Sequence, residues 1–526
     1  MRASWAWVAI CVGQLSACLS TRLVNLDHVD ASWPVSSPQR GWRADVAELL
    51  SRYERLRVLA PQDDRLDPLF GGLTTLSYFG ADALPRVLDQ KIPAEGAAMG
   101  RTLQDACGAP DPALLRVRAE GFATAGVPVF TPVWIPLAIS GGAAPAAVSC
   151  DERGHASSAD AFCVFGRLAL QPEPGRALIL VVHGMFDSGA QLYVQRLAAT
   201  LYGLGHSVLL PDMRDHGDTW RAAPQLATML GTLEGADLLG LSALARQSCG
   251  AHLDRVGIAA VSGGGLDALR ALTLDHEHTL DAGVLALSPL LDVSKTLADL
   301  SETGDCALTR SVELTWPDDV AVGVAAGLAA VGGAALVQAL HGDAIDGRTA
   351  LAGGIGAGAG LLGALTLDAF FDGGSAACFS QHAIANIVDG ALHVRWQTLQ
   401  AVPGALSAAG QRIAAADVTL ADYMRERAQF QASQHGQTLR MFDSRALARE
   451  LRASLAADSS HRTRLLVLGA EDDPMVRVPA LREFAALTRD MPQVYTRVLE
   501  HGGHAAMSLV QPTITRAVIE RFFAPN

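Results

Sequence analysis

Charge is scarce in this chain. Only 18% of its 526 residues are Asp, Glu, Lys or Arg, and the 41 basic side chains fall short of the 54 acidic ones, a formal net charge of -13. With no basic excess, no surface is expected to neutralise phosphates, which argues against nucleic acid as a partner. No cysteine pair has C-x-x-C spacing, so a structural zinc site is not expected. The glycine run at 263–265 is followed by no Gly-Lys-Ser/Thr, so it does not read as a phosphate loop. Apolar residues are what the chain has in quantity. They make up 50% of it, with a mean hydropathy of +0.23, enough to bury a large core in one enlarged domain or two units and too much for a disordered chain.

The N-terminus accounts for part of that apolar content. Arg2 gives a small positive start, 8–15 is a short apolar stretch, and Leu15-Ser16-Ala17-Cys18 resembles the lipobox of bacterial lipoproteins. The resemblance implies a signal peptide over 1–17 and a lipidated Cys18. The protein would then be anchored by lipid in the cell envelope, on its periplasmic face or at the cell surface. Gly13 and Gln14 interrupt the apolar stretch, so an ordinary secretory signal or an uncleaved start is the alternative. Of the eight cysteines, Cys11 would leave with the signal and Cys18 would carry lipid. Cys107, Cys150, Cys163, Cys249, Cys306 and Cys378 then remain, an even set suited to disulfides in an oxidising compartment. Cys150 and Cys163 would close the polar loop 151–162, and Cys306 and Cys378 would clamp the base of an apolar insert. Six buried free thiols are the alternative.

Helical periodicity at 46–59 and 102–115 suggests a small helical layer in an extension over 18–120. Strand-like runs follow at 127–135 and 163–170, and 172–176 reads as a turn. Short apolar runs at 177–182, 207–210, 256–261, 284–287, 465–468 and 494–499 then alternate with helical stretches. That is the pattern of a mostly parallel, doubly wound α/β sheet. A core formed by 121–300 and 461–526 would thus be interrupted by a cap insertion over 301–460. Inside the insertion, 320–340 and 349–367 carry no charged side chain and are joined by a polar segment, 341–348, giving an apolar helical hairpin over 320–367. Their length suits a bilayer core, yet Ala and Gly supply 12 of the 21 and 11 of the 19 residues, little apolar surface per turn. Gly323/Gly327, Gly354/Gly358 and Gly356/Gly360 are small-residue pairs that let helices touch. The hairpin is therefore read either as dipping into a membrane or as buried in the cap or against a second subunit.

Four fragments carry chemistry, each at the end of an apolar run, where open parallel sheets place their active sites. Ser262 lies in Ala260-Val261-Ser262-Gly263-Gly264, between a strand and a helix marked by Leu266, Leu269 and Leu272. Small residues on either side let the backbone turn tightly, with Ala260 where the first glycine of the motif usually stands. The bland alternative is a glycine-rich turn with a capping serine. A serine hydroxyl needs a base and a group to orient that base. His504, after Gly502-Gly503, is the favoured base, with His501 as competitor. In Glu471-Asp472-Asp473-Pro474, Asp473 is the favoured acid because Pro474 holds it extended, and Asp472 is the alternative. The backbone N–H groups of Gly263 and of Met185, in His183-Gly184-Met185, would bind an oxyanion. Asp187 or Ser188 is expected to cap a helix beginning near Gly189.

In this order, oxyanion loop, Ser, Asp, His, the fragments resemble the α/β-hydrolase superfamily over roughly 126–300 and 461–526. The loop Asp212-Met213-Arg214-Asp215-His216-Gly217-Asp218 is similar to the one this superfamily carries after a strand. The acid turn and Thr419-Leu420-Ala421-Asp422-Tyr423-Met424 are similar to its carboxylesterase and lipase branch. The resemblance implies a serine hydrolase of carboxylic esters, acting on a small-molecule or lipid ester, with no metal or organic cofactor. A peptidase or acyltransferase would share the same residues, and a non-catalytic scaffold using the Ala/Gly hairpin for assembly or membrane attachment is the alternative outside enzymes. Two clusters imitate metal sites. Asp212, Asp215, His216 and Asp218 are read as hydrogen-bonded turn structure, and Asp275 to His278 as a solvated helix end.

Overall fold

The structure is a computed structural model and describes residues 41–55, 99–108, 115–117, 126–128, 130–302, 392–393, 395–434, 438–457, 463–471, 473, 475–500, 502–504 and 512–524. Eleven strands are present among them: β1 Arg101–Thr102, β2 Leu115–Val117, β3 Gly126–Pro128, β4 Thr131–Ala138, β5 Ala161–Ala169, β6 Arg176–Val182, β7 Ser207–Asp212, β8 Leu253–Val261, β9 Gly283–Leu287, β10 Leu465–Ala470 and β11 Val494–Leu499. Nine form one sheet in the order β1-β4-β5-β7-β6-β8-β9-β10-β11. Within it β5 runs antiparallel to β4 and β7, and every other pairing is parallel. The fold is α/β, a mostly parallel doubly wound sheet with helices on both faces.

Strand composition explains the layering. From Leu178 to Val182 every side chain of β6 is fully buried, as a strand covered on both faces requires. Leu178, Leu180 and Val182 join one core, with Leu241, Leu269, Leu451 and Phe484 from the helices Glu234–Cys249, Gly263–Leu274, Ser444–Ala457 and Val478–Thr488. Ile179 and Val181 join the other, with Leu50, Leu197 and Val518 from the helices Trp42–Arg55, Leu192–Gly203 and Pro512–Phe523. The chain steps from β6 outward to β7, then returns past β6 to β8. The strand order therefore reverses at the β6/β8 pair, and a crevice is expected at the carboxyl ends of those strands. Val182 of β6 pairs with Ala260 of β8, so the segments following both strands leave the sheet side by side.

Among the described residues, the two periodic stretches of the extension fold differently. Trp42–Arg55 packs on the C-terminal helix, with Trp42 edge-on to Phe522 at 5.4 Å. The stretch 102–115 instead splits. β1 adds a parallel edge to β4, the helix Leu103–Gly108 is only six residues long, and β2 pairs with β3 in a separate ribbon. Thr102 starts that helix by accepting the Asp105 amide at 3.1 Å, and Pro110 and Pro112 cannot continue it. Cys107 is bonded to Cys249 and Cys150 to Cys163, with Cα separations of 5.0 and 6.0 Å. Ser444–Ala457, counted with the insertion from its position in the sequence, packs between the helices Gly263–Leu274 and Val478–Thr488. The expected signal segment 1–17, Cys18, Cys306, Cys378 and the apolar runs 320–340 and 349–367 lie outside the described residues. Among the described residues, no helix is long and apolar enough to cross a membrane.

Candidate active site

Ser262 occupies the single residue between β8 and the helix Gly263–Leu274, at φ 56 and ψ -121. A non-glycine residue rarely adopts this conformation, and here it is fixed from several sides. The Ser262 N–H donates to the Leu287 carbonyl at 2.9 Å, and its own carbonyl accepts from Gly265 at 2.9 Å and Leu290 at 3.2 Å. Glycines let the helix approach. A Cβ on Gly264 would lie 2.3 Å from the His183 carbonyl oxygen, and one on Gly265 would lie 2.8 Å from Pro289 Cβ. The sharp turn lifts Ser262 out of the β8 register and against the loop after β6.

That loop is held by its own polar groups. His183 Nδ1 lies 2.7 Å from the Gly184 carbonyl while Nε2 accepts the Met213 N–H at 3.1 Å, an arrangement that calls for the neutral ring protonated on Nδ1. Burial, the dominant influence, pushes the His183 pKa down and favours the same form. The Gly184 N–H donates to the Tyr193 hydroxyl at 2.7 Å, and that hydroxyl donates to Asp187 Oδ2 at 2.8 Å. Met185 is the next amide. A Cβ on Gly263 would stand 3.3 Å from it, so the Met185 and Gly263 backbones face each other beside Ser262. Phe186 then turns back at φ 64. The helix expected near Gly189 begins instead at Leu192, with Gln191 at its N-cap and no side-chain cap. Asp187 does not cap it because its carboxyl is committed to Tyr193, and Ser188 Oγ only accepts the Ala190 amide at 3.2 Å.

His504 and Asp473 meet after the last two strands. Nδ1 of His504 lies 3.1 Å from both carboxylate oxygens of Asp473, and the two side chains are almost wholly buried. Asp473 Oδ1 also accepts the amides of Met475 and Val476 at 2.9 and 3.0 Å, which fixes the carboxylate. An Nδ1 proton held this way leaves Nε2 as the basic lone pair. Gly502 at φ 150 and Gly503 at φ 54 supply the bend that brings the imidazole inward. Glu471, the other described carboxylate of that turn, points away to Arg482 at 2.7 Å. Asp472, Pro474 and His501 lie outside the described residues.

No local sequence pattern announces the tie between the β7 loop and the insertion. Asp215, at φ 61, accepts from the Tyr423 hydroxyl at 2.9 Å and from Arg427 at 3.2 Å, while Arg395 donates to its backbone carbonyl at 2.6 Å. Arg395 also lies over the rings of Phe186 and Trp220 at 5.2 and 5.0 Å, and Tyr423 meets Phe186 edge-on at 5.6 Å. The insertion thereby grips the residue next to Met185. Asp212 accepts from Arg167 at 2.8 Å and from the amides of Gly189 and Asp218 at 2.7 and 2.9 Å, so this loop is hydrogen-bonded turn structure. Asp275 closes its turn by accepting from Thr279 and Leu280 at 2.7 and 2.8 Å. Among the described residues, no group of three or more His, Cys, Asp and Glu is placed to hold a metal ion.

No protein-family model and no curated protein matches the sequence. Among solved structures, the chain is similar to the Pyrococcus furiosus esterase Pf2001 at 13% identity and a TM-score of 0.37, over 79% of this chain and 98% of that one. It is also similar to Est1E from Butyrivibrio proteoclasticus with ferulic acid bound, at 12% identity and a TM-score of 0.33, over 68% and 92%. Candida antarctica lipase A in its closed state is similar at 13% identity and a TM-score of 0.34, over 74% and 78%.

Proposed function

We propose that the chain is an exported, lipid-anchored serine hydrolase that cleaves carboxylic esters, of small molecules or lipids, through an acyl-enzyme. Ser262 Oγ attacks the ester carbonyl carbon while His504 Nε2 takes its proton. Asp473 holds the imidazole and stabilises its charged form, and the Met185 and Gly263 amides receive the oxyanion. His504 then returns the proton to the departing alcohol, and water, activated by the same imidazole, releases the acid. The observation that carries this reading is the buried Asp473–His504 pair at the same end of the sheet as a serine held at φ 56.

Export is supported by the two disulfides, which persist in oxidising compartments. The Leu15–Cys18 tetrapeptide supplies the route and the lipid anchor, and proximity to a membrane favours acyl or lipid esters over polar substrates. Labelling with a fluorophosphonate probe tests the chemistry. The folded wild type is expected to be labelled, Ser262→Ala not at all, and His504→Ala only weakly; an unlabelled folded wild type would leave a scaffold. A panel of esters from acetyl to palmitoyl identifies the acyl length.

A further inference from the structure

Gly184 is bordered closely by reactive groups. A side chain placed on it would meet Ser262 Cβ at 3.2 Å, the Tyr193 hydroxyl at 3.3 Å and Asp187 Oδ2 at 3.5 Å. A phenol and a carboxyl that ester hydrolysis leaves without a task thus stand against the same backbone as the nucleophile. They are connected in a row, from the Gly184 N–H to the Tyr193 hydroxyl and from that hydroxyl to Asp187 Oδ2. With the Gly184 amide consumed in this way, the amide left to face Gly263 is that of Met185. Resting on the serine-hydrolase reading, we propose that Asp187 and Tyr193 are positioning residues, a relay that fixes the oxyanion loop so that the Met185 N–H stays aimed beside Ser262.

The relay makes the site sensitive to alkali. Burial raises the Asp187 carboxyl to about 7, against the opposing pull of the Tyr193 hydrogen bond and of the charges on His504 and Arg395. These groups face it from the helix Leu192–Gly203, from the turn after β11 and from the insertion. Protonated on Oδ1, the carboxyl still accepts the Tyr193 hydroxyl on Oδ2 and brings no charge. Ionised, it sets a negative charge beside the place where the oxyanion must form, in surroundings that screen it poorly, and raises the barrier. Turnover therefore needs His504 and Asp187 both neutral, which imposes an alkaline limb that a Ser-His-Asp site alone would not have.

The test is hydrolysis of p-nitrophenyl butyrate by the full chain from acid to alkaline pH, run beside fluorophosphonate labelling of Ser262. Tyr193→Phe is expected to lower kcat about tenfold or more with KM within about twofold, the pattern of a lost transition-state interaction. Asp187→Asn keeps an acceptor for Tyr193, so its kcat at acid pH is expected to stay near wild type while the alkaline decline disappears. With Ser262 labelled in the wild type, a Tyr193→Phe kcat within about twofold, or an alkaline limb unchanged in Asp187→Asn, overturns the relay alone. If folded wild type is not labelled, the hydrolase reading falls first and the relay with it. Should Tyr193→Phe not fold, the near-isosteric Asp187→Asn decides through its alkaline limb.

Discussion

Ser262 is held in a conformation that an L side chain resists, and its φ of 56 is one that glycine adopts freely. Its neighbours enforce it through hydrogen bonds to Leu287, Gly265 and Leu290, so the strain is stored in the native state. Ser262→Gly should release it, offset in part by the greater freedom of glycine in the unfolded chain. A net gain of about 1 kcal/mol in urea unfolding is expected together with complete loss of fluorophosphonate labelling. Equal or lower stability of the glycine variant would show that the turn is relaxed. At this scale the sequence was informative where the backbone had to bend, because a glycine-flanked serine after an apolar run has few structural uses. It was uninformative about Tyr193. In an apolar helix a tyrosine reads as core, and only the folded loop shows that its hydroxyl is spent on the Gly184 amide.

Among the elements, the parallel strands were legible because strands buried on both faces must be continuously apolar; β9 and β10 follow that rule throughout, β6 from Ala177 and β8 from Val256, while β11, at the sheet edge, is only half-buried from Tyr495 to Val498. β1 was not, since two residues at a sheet edge leave no periodic trace. The docking of the insertion was not legible either, because it depends on charges brought together from distant positions. Asp215 takes Tyr423, Arg395 and Arg427, and the two side chains of the Asp215–Arg427 pair are about 1% exposed. Removing one partner from such a cluster leaves buried charge uncompensated. Asp215→Asn tolerates the positive φ and keeps the shape, so it isolates the charge. A loss of about 3 kcal/mol or more is expected in denaturant titration, with slower turnover because Phe186 loses its grip from the insertion. A variant within about 0.5 kcal/mol of wild type would mean that the hydrogen bonds to backbone carbonyls hold Arg427 unaided.

Across the whole molecule, the disulfides join parts that the sheet alone does not. Cys107–Cys249 spans 142 residues and fastens the extension to the helix Glu234–Cys249, whereas Cys150–Cys163 spans only 13 and ties the excursion after β4 to the start of β5. Cross-linking limits the unfolded chain more as the closed loop lengthens, by about 3 kcal/mol for a loop near 15 residues and nearly 5 for one beyond 100. The long bond should therefore dominate. Replacing Cys107 and Cys249 together by alanine is expected to lower the urea midpoint more than replacing Cys150 and Cys163. It should also speed amide exchange at β1 and β4, since β1 is held at the sheet edge by a two-residue pairing and the helix that follows it. The opposite ranking, with exchange at β4 unchanged, would mean that the edge is held by packing of Leu103 and Ala106 on the core, and that the long covalent link contributes little to the native fold.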